Sequence, residues 1–188
     1  MLGLRNRVSV HISSFAFLIG ALLILVLPVK WLVAAMLAAV WHEMCHCMAV
    51  QISGGQIHRI SIGVTGAVMQ SEILDTVTGL LCILAGPFGG ALPIFLIHWF
   101  PRLAICAMVY SLYNLLPIYP LDGGRALQSL AQIVCLPKWI LKMVEQGVVV
   151  FIFCFSLYAS LVLKLGLFPL LISVIVLMRT KSAKTLAN

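Results

Sequence analysis

The residues best suited to chemistry in this chain lie in Ala39-Val-Trp-His-Glu-Met-Cys-His-Cys-Met48, where His42, Glu43 and His46 form an H-E-x-x-H arrangement. A stretch this apolar reads as helix. At about 100° per residue the two histidines fall roughly 40° apart and one turn removed, so both imidazoles can reach one metal ion. Zinc in an open catalytic site takes two His nitrogens, one further N, O or S ligand, and a water whose proton a neighbouring carboxylate can accept. Glu43 flanks that face and suits the last role. Cys45, about 60° round from His42 on the side away from Glu43, has the reach of a ligand as well, although small apolar filler is the commoner use of such a thiol. Two histidines four apart with a glutamate between them also arise in helices that bind nothing. The surroundings weigh against that reading, because an acid in a segment of this apolarity costs at least ~2.5 kcal/mol unless it is paired or put to use.

The elements that position these residues must lie in a membrane. Of 188 residues 63% are hydrophobic and only 9% charged, which excludes an ordinary soluble fold. Apolar runs near the length of a bilayer crossing recur about six times, joined by short loops that carry nearly all the Lys and Arg. The expectation is an all-α polytopic membrane protein of six transmembrane helices, a single domain over residues 1–188 with no soluble C-terminal domain. The formal charge of +7 is scattered near helix ends rather than clustered with aromatics, so it reads as an orientation signal and not as a nucleic-acid surface. The six cysteines, at 45, 47, 82, 106, 135 and 154, lack C-x-x-C spacing and read as free thiols.

In chain order, Arg5 and Arg7 precede a first span from roughly Ile12 to Leu27, with His11 at its entrance as a minor candidate ligand. It has no clear small-residue cleavage site and reads as uncleaved. The second span, about Trp31 to Ile52, carries the H-E-x-x-H motif near the end that leads into Ser53-Gly-Gly55. Between Ile57 and Gln70 the pattern turns from helical to alternating, with Ile60, Ile62 and Val64 on one side and Ser61, Gly63 and Thr65 on the other. That predicts a short β-hairpin between spans two and three. Strand edges are not tolerated against lipid, so the hairpin lies at the interface or lines a cavity, where an open edge can accept an extended peptide. Asp75 suits the cap of a third span from about Thr76 to Phe100. Within that span Ala85-Gly86-Pro87-Phe88-Gly89-Gly90 offers small residues for close helix approach and a proline that loosens the backbone. His98, near its far end, reads as interfacial.

The fourth apolar segment follows Arg102 and runs into Asn114-Leu-Leu-Pro-Ile-Tyr-Pro-Leu-Asp-Gly-Gly-Arg125, whose two prolines and two glycines predict a helix break with Asp122 at it. Irregular backbone at membrane depth is allowed where it is buried in protein or lines a wet cavity, which makes this a second sign of a site; an acid at a solvated loop tip is the plainer alternative. A fifth span is expected from about Val144 to Leu163 and a sixth from Leu165 to Met178. With six spans, Arg5, Arg7, Arg59, Arg125, Lys138, Lys142, Arg179, Lys181 and Lys184 share one side and Lys30, Arg102 and Lys164 the other. The positive-inside rule then puts both termini in the cytoplasm, and gathers the end of span two, the hairpin and the Asp122 break on that side.

His42-Glu43-x-x-His46 followed by Asn114-x-x-Pro117-x-x-Pro120-Leu121-Asp122-Gly123 resembles the site-2 protease family of intramembrane zinc metalloproteases, and in its short six-span form is most similar to the family's sporulation-type members. The resemblance is strong in the two motifs and extends elsewhere only in hydropathy. It implies that His42, His46 and Asp122 bind Zn2+, that Glu43 is the general base, and that Asn114 helps to hold the substrate backbone. It also implies a membrane-associated protein substrate, cleaved near the cytoplasmic face and of the pro-sigma-factor kind, with inhibitory membrane proteins as further partners and no nucleic acid. Sporulation-type members often carry a nucleotide-sensing CBS domain after the last span, whereas this sequence stops at Asn188. Two rivals remain at this level. One is a non-hydrolytic metal-binding or metal-transport protein, which has no need of a base beside two ligands; the other is an idle family member acting as a scaffold, against which the full set of two His, Glu and Asp weighs.

Overall fold

The structure is a computed structural model and describes residues 9–12, 28–63, 66–72, 75–164, 166, 169–170 and 173–174. The expected first span and most of the sixth lie outside the described residues. The described elements are β1 (Ser9–Ile12), α1 (Val29–Ile52), β2 (Gln56–Gly63), β3 (Gly66–Glu72), α2 (Thr76–Gly90), a 3₁₀ stretch (Leu92–Leu96), α3 (Pro101–Asn114), α4 (Asp122–Ile133) and α5 (Lys138–Leu161). The chain is thus mostly helical. Among the described residues, three stretches are long and apolar enough to cross a membrane: Val29–Ile52, Thr76–Leu96 and Lys138–Leu161. The chain divides into two compact units, Met1–Tyr113 and Asn114–Asn188.

In the first unit, α1 starts directly after Pro28, which has no amide hydrogen to satisfy. It stops at Ser53-Gly54-Gly55. Gly54 takes a φ of 73° and donates to the Gln51 carbonyl, while Gly55 donates to that of Val50, so two carbonyls orphaned at the helix end are satisfied. Asp75 caps α2, accepting the Thr78 backbone N–H at 3.3 Å as the sequence predicts. The expected third span does not run as one helix to Phe100. α2 ends at Gly90 and the chain tightens into the 3₁₀ stretch, with Pro93 buried within it. In the sheet, β1 lies parallel to β2 from Ser9↔Arg59 to Ile12↔Ile62. β3 runs antiparallel to β2 from Gln56↔Glu72 to Gly63↔Gly66, with a register shift at 57–59. Residues 64–65, where the turn of the expected hairpin would fall, lie outside the described residues.

The helices are built inside out relative to a soluble protein. On α1 the buried positions are Ala34, Ala38, His42, His46 and Val50, while Val33, Met36, Leu37, Val40, Met44 and Met48 are exposed. On α3 the buried positions are Ala104, Ala107, Ser111 and Asn114. Small and polar residues therefore face protein and large apolar ones face outward, as expected where lipid is the solvent and close backbone approach drives helix packing.

In the second unit, the predicted helix break falls at residues 115–121, between α3 and α4. Its two glycines do not break anything: Gly123 and Gly124 lie in the first turn of α4. α5 begins at Lys138, earlier than the apolar run at Val144 suggests, because Pro137 sets its start and its first two turns carry Lys138, Lys142 and Glu145. Such polar turns are invisible to a reading by hydropathy.

Candidate metal and active site

Successive residues four apart on a helix form a ridge, and the ridge of α1 presents two imidazoles to α2. The His42 and His46 rings meet edge to face with centroids 4.9 Å apart, and both residues are buried, at 1% and 7% exposure. Facing them on α2 are Cys82, Gly86 and Gly90, again spaced by four. A Cβ on Gly86 would land on the His46 ring at Nε2, and one on Gly90 would lie 2.8 Å from both His42 Nδ1 and Ser111 Oγ. These two glycines are therefore the hollow in which the imidazoles sit, a role beyond the close helix approach read from their sequence. The Tyr110 ring of α3 meets His42 edge to face at 5.0 Å and closes its other side.

His46 has a defined tautomer. Its Nδ1 lies 2.9 Å from the Cys82 carbonyl oxygen, which can only accept, so Nδ1 carries the hydrogen and Nε2 carries the lone pair. A backbone carbonyl holding the far nitrogen of an imidazole is the usual outer support of a metal-ligating histidine. No pattern of residue types announces it, because the group that orients His46 is main chain. The same holds for Trp41, whose indole N–H donates to the Gly89 carbonyl at 2.9 Å, near the end of α2 where carbonyls lack helical partners.

Glu43 follows His42 on α1 and is half-buried. Cys45 packs towards α2, where a Cβ on Gly89 would come within 2.7 Å of its Sγ, a position of filler between helices. All six cysteines are free thiols. His98 is exposed, and His11 falls on β1, whose side chains lie outside the described ones.

Asn114 and Asp122 belong to the second unit. Asn114 is the last residue of α3, and Asp122 the first of α4; both are buried, at 9% and 8% exposure. A carboxylate in the first turn of a helix meets the positive end of the macrodipole. The loop ahead of it is folded tightly onto that turn: a Cβ on Gly123 would strike the Leu115 carbonyl, and one on Gly124 the backbone at Ile118 and Tyr119. The Leu121-Asp-Gly-Gly124 sequence thus lets the chain double back and fixes where Asp122 stands. Arg125 Nη1 is 3.9 Å from the Asp122 carboxylate.

The donor set fits a zinc ion on these observations. Two buried imidazoles share one face, one of them is held in the tautomer that offers Nε2, and the glycines opposite leave room that any side chain would fill.

Peptidase family M50 matches residues 65–159, half of the chain; the matched stretch contains Asn114 and Asp122 and begins after His46. No curated protein matches the chain. Among solved structures, the site-2 protease from Methanocaldococcus jannaschii is similar over 97% of this chain and 93% of its own, with a TM-score of 0.69 at 16% identity, a likeness of fold.

Proposed function

The chain belongs to peptidase family M50, and on that footing we propose that it is an intramembrane zinc endopeptidase in which His42, His46 and Asp122 hold the metal and Glu43 is the general base. The observation that carries the reading is the His46 imidazole, oriented by the Cys82 carbonyl and seated over Gly86. Zinc so held would supply Lewis acidity, lowering the pKa of a water towards ~7 and drawing charge from a peptide carbonyl. Glu43 accepts the proton as the water attacks and returns it to the leaving amine. Asn114 steadies the substrate backbone, and an open edge of the sheet accepts the substrate as an extended strand.

The substrate is a membrane-associated protein. The finer reading is a six-span member of the stage IV sporulation protein FB type with a pro-sigma factor as substrate; the two motifs and their spacing support it. Co-expression with membrane-anchored candidates tests the mechanism. Glu43→Gln should lower cleavage by about 10²- to 10⁴-fold while zinc content stays at one per chain, and His46→Ala or Asp122→Ala should lose the metal itself. Wild-type cleavage by Glu43→Gln would refute the base, and full zinc in Asp122→Ala would remove that residue from the ligand set.

A further inference from the structure

Between α4 and the first turns of α5, the second unit holds an open-sided cavity of about 630 Å³ that the proteolytic chemistry does not use. This is within the range of sites for small organic ligands, ~300–1,000 Å³, and far more than an inorganic ion fills. Leu127 and Ala131 of α4 and Leu141 of α5 give it apolar lining; Gln128 and Gln132 add amides, and Lys138 and Lys142 add two ammonium groups one helical turn apart. Glu145 is the carboxylate on its wall, so cations outnumber anions by two to one.

The character of the cavity changes along α5. The two lysines stand in its first turns, beside an exposed Trp139, the pairing of cation and aromatic that marks a membrane–water boundary. Adjoining the lining face on its Leu141 side and turned away from the lysines, Val144, Phe151 and Phe155 form an exposed apolar strip, with the two phenylalanine rings stacked at 6.3 Å. Among the described residues, the buried positions of α5 are Ser156 and Ala159 alone. A ligand matched to this gradient is anionic at one end and a long hydrocarbon at the other. An acidic peptide would leave the apolar face unused.

We propose that the cavity binds an anionic phospholipid. The headgroup phosphate sits between Lys138 and Lys142 with amide N–H groups of Gln128 and Gln132, the glycerol region lies over Leu127 and Leu141, and the acyl chains follow the Val144–Phe155 face. Tyr119 and Gly124 also line the cavity, so the lipid rests against the loop that leads into Asp122.

Native mass spectrometry of the full chain in detergent, titrated with dioleoyl phosphatidylglycerol or dioleoyl phosphatidylcholine, tests this. The anionic lipid should be retained about tenfold more than the zwitterionic one. Lys138→Gln and Lys142→Gln should each cost about fivefold, since a lysine near an anionic headgroup contributes to that extent. Arginine at both positions should restore binding, and Leu141→Trp, which fills the cavity, should lower it with both charges present. Circular dichroism confirms that each variant remains helical. Equal retention of the two lipids, unchanged binding in the double glutamine variant, or an equal loss in Lys164→Gln would overturn the proposal. So would displacement by millimolar inorganic phosphate, which would make this a phosphate site rather than a lipid site.

Discussion

Gly86 carries as much of the site as the histidine it faces. Alanine there would put a methyl group onto His46 Nε2, and neither the ring, held by the Cys82 carbonyl, nor the packed backbone of α2 has room to yield. Overpacking of this sort costs typically ~1–3 kcal/mol. Gly86→Ala should therefore reduce bound zinc and cleavage at least about tenfold, as read by metal analysis and a substrate assay. Gly147→Ala is the contrast: nothing lies within 4 Å of the added carbon, and it should raise thermal stability by about 0.5–1 kcal/mol through helix propensity. At this scale the sequence discloses the side chains proposed to do chemistry, because His, Glu and Asp at fixed spacing have few other uses in so apolar a chain. It conceals what holds them. The Cys82 carbonyl is a main-chain atom, and the hollow at Gly86 exists only once α2 lies on α1.

At the scale of elements, the sequence reads well where a local signal marks a boundary, as with the glycine pair after α1 and Asp75 before α2. It reads poorly where packing decides, as at Gly123 and Gly124, which look like breakers and instead form the first turn of α4 beneath the folded-back loop. Apolar length alone also overstates the third span and misses the polar start of α5. The Asp75 cap gives an element-level prediction. Its carboxyl is held below the usual aspartate value of about 3.9 by the Thr78 hydroxyl and by the Thr78 and Val77 amides, which favour its charged form. A depressed folded pKa contributes stability that is present above the unfolded value and is lost as pH falls through the folded one. Hydrogen exchange at the first turn of α2 should accordingly speed up on acidification below about pH 4, relative to a mid-helix amide, and this extra pH dependence should vanish in Asp75→Asn.

For the whole molecule, the six-span reading under the proposed function predicts that reporters fused at Leu2 and at Asn188 both report from the cytoplasm, and an external signal from either would overturn that topology. The charge asymmetry that supports it is a property of loops and is read from sequence directly, whereas the grouping into two units depends on packing that no periodicity encodes. The outward placement of Met36, Leu37, Met44, Met48 and their like on α1, with Ala34, Ala38, His42, His46 and Val50 turned inward, has a calorimetric consequence. The heat capacity of unfolding in soluble proteins, ~12–15 cal/mol/K per residue, comes from apolar surface newly wetted by water. Here the largest apolar side chains are solvated by hydrocarbon before and after the helices separate, and what is newly exposed is mostly methyl, hydroxyl and backbone. Scanning calorimetry in micelles should therefore give a per-residue heat-capacity increment well below that range, and a stability curve correspondingly flatter with temperature.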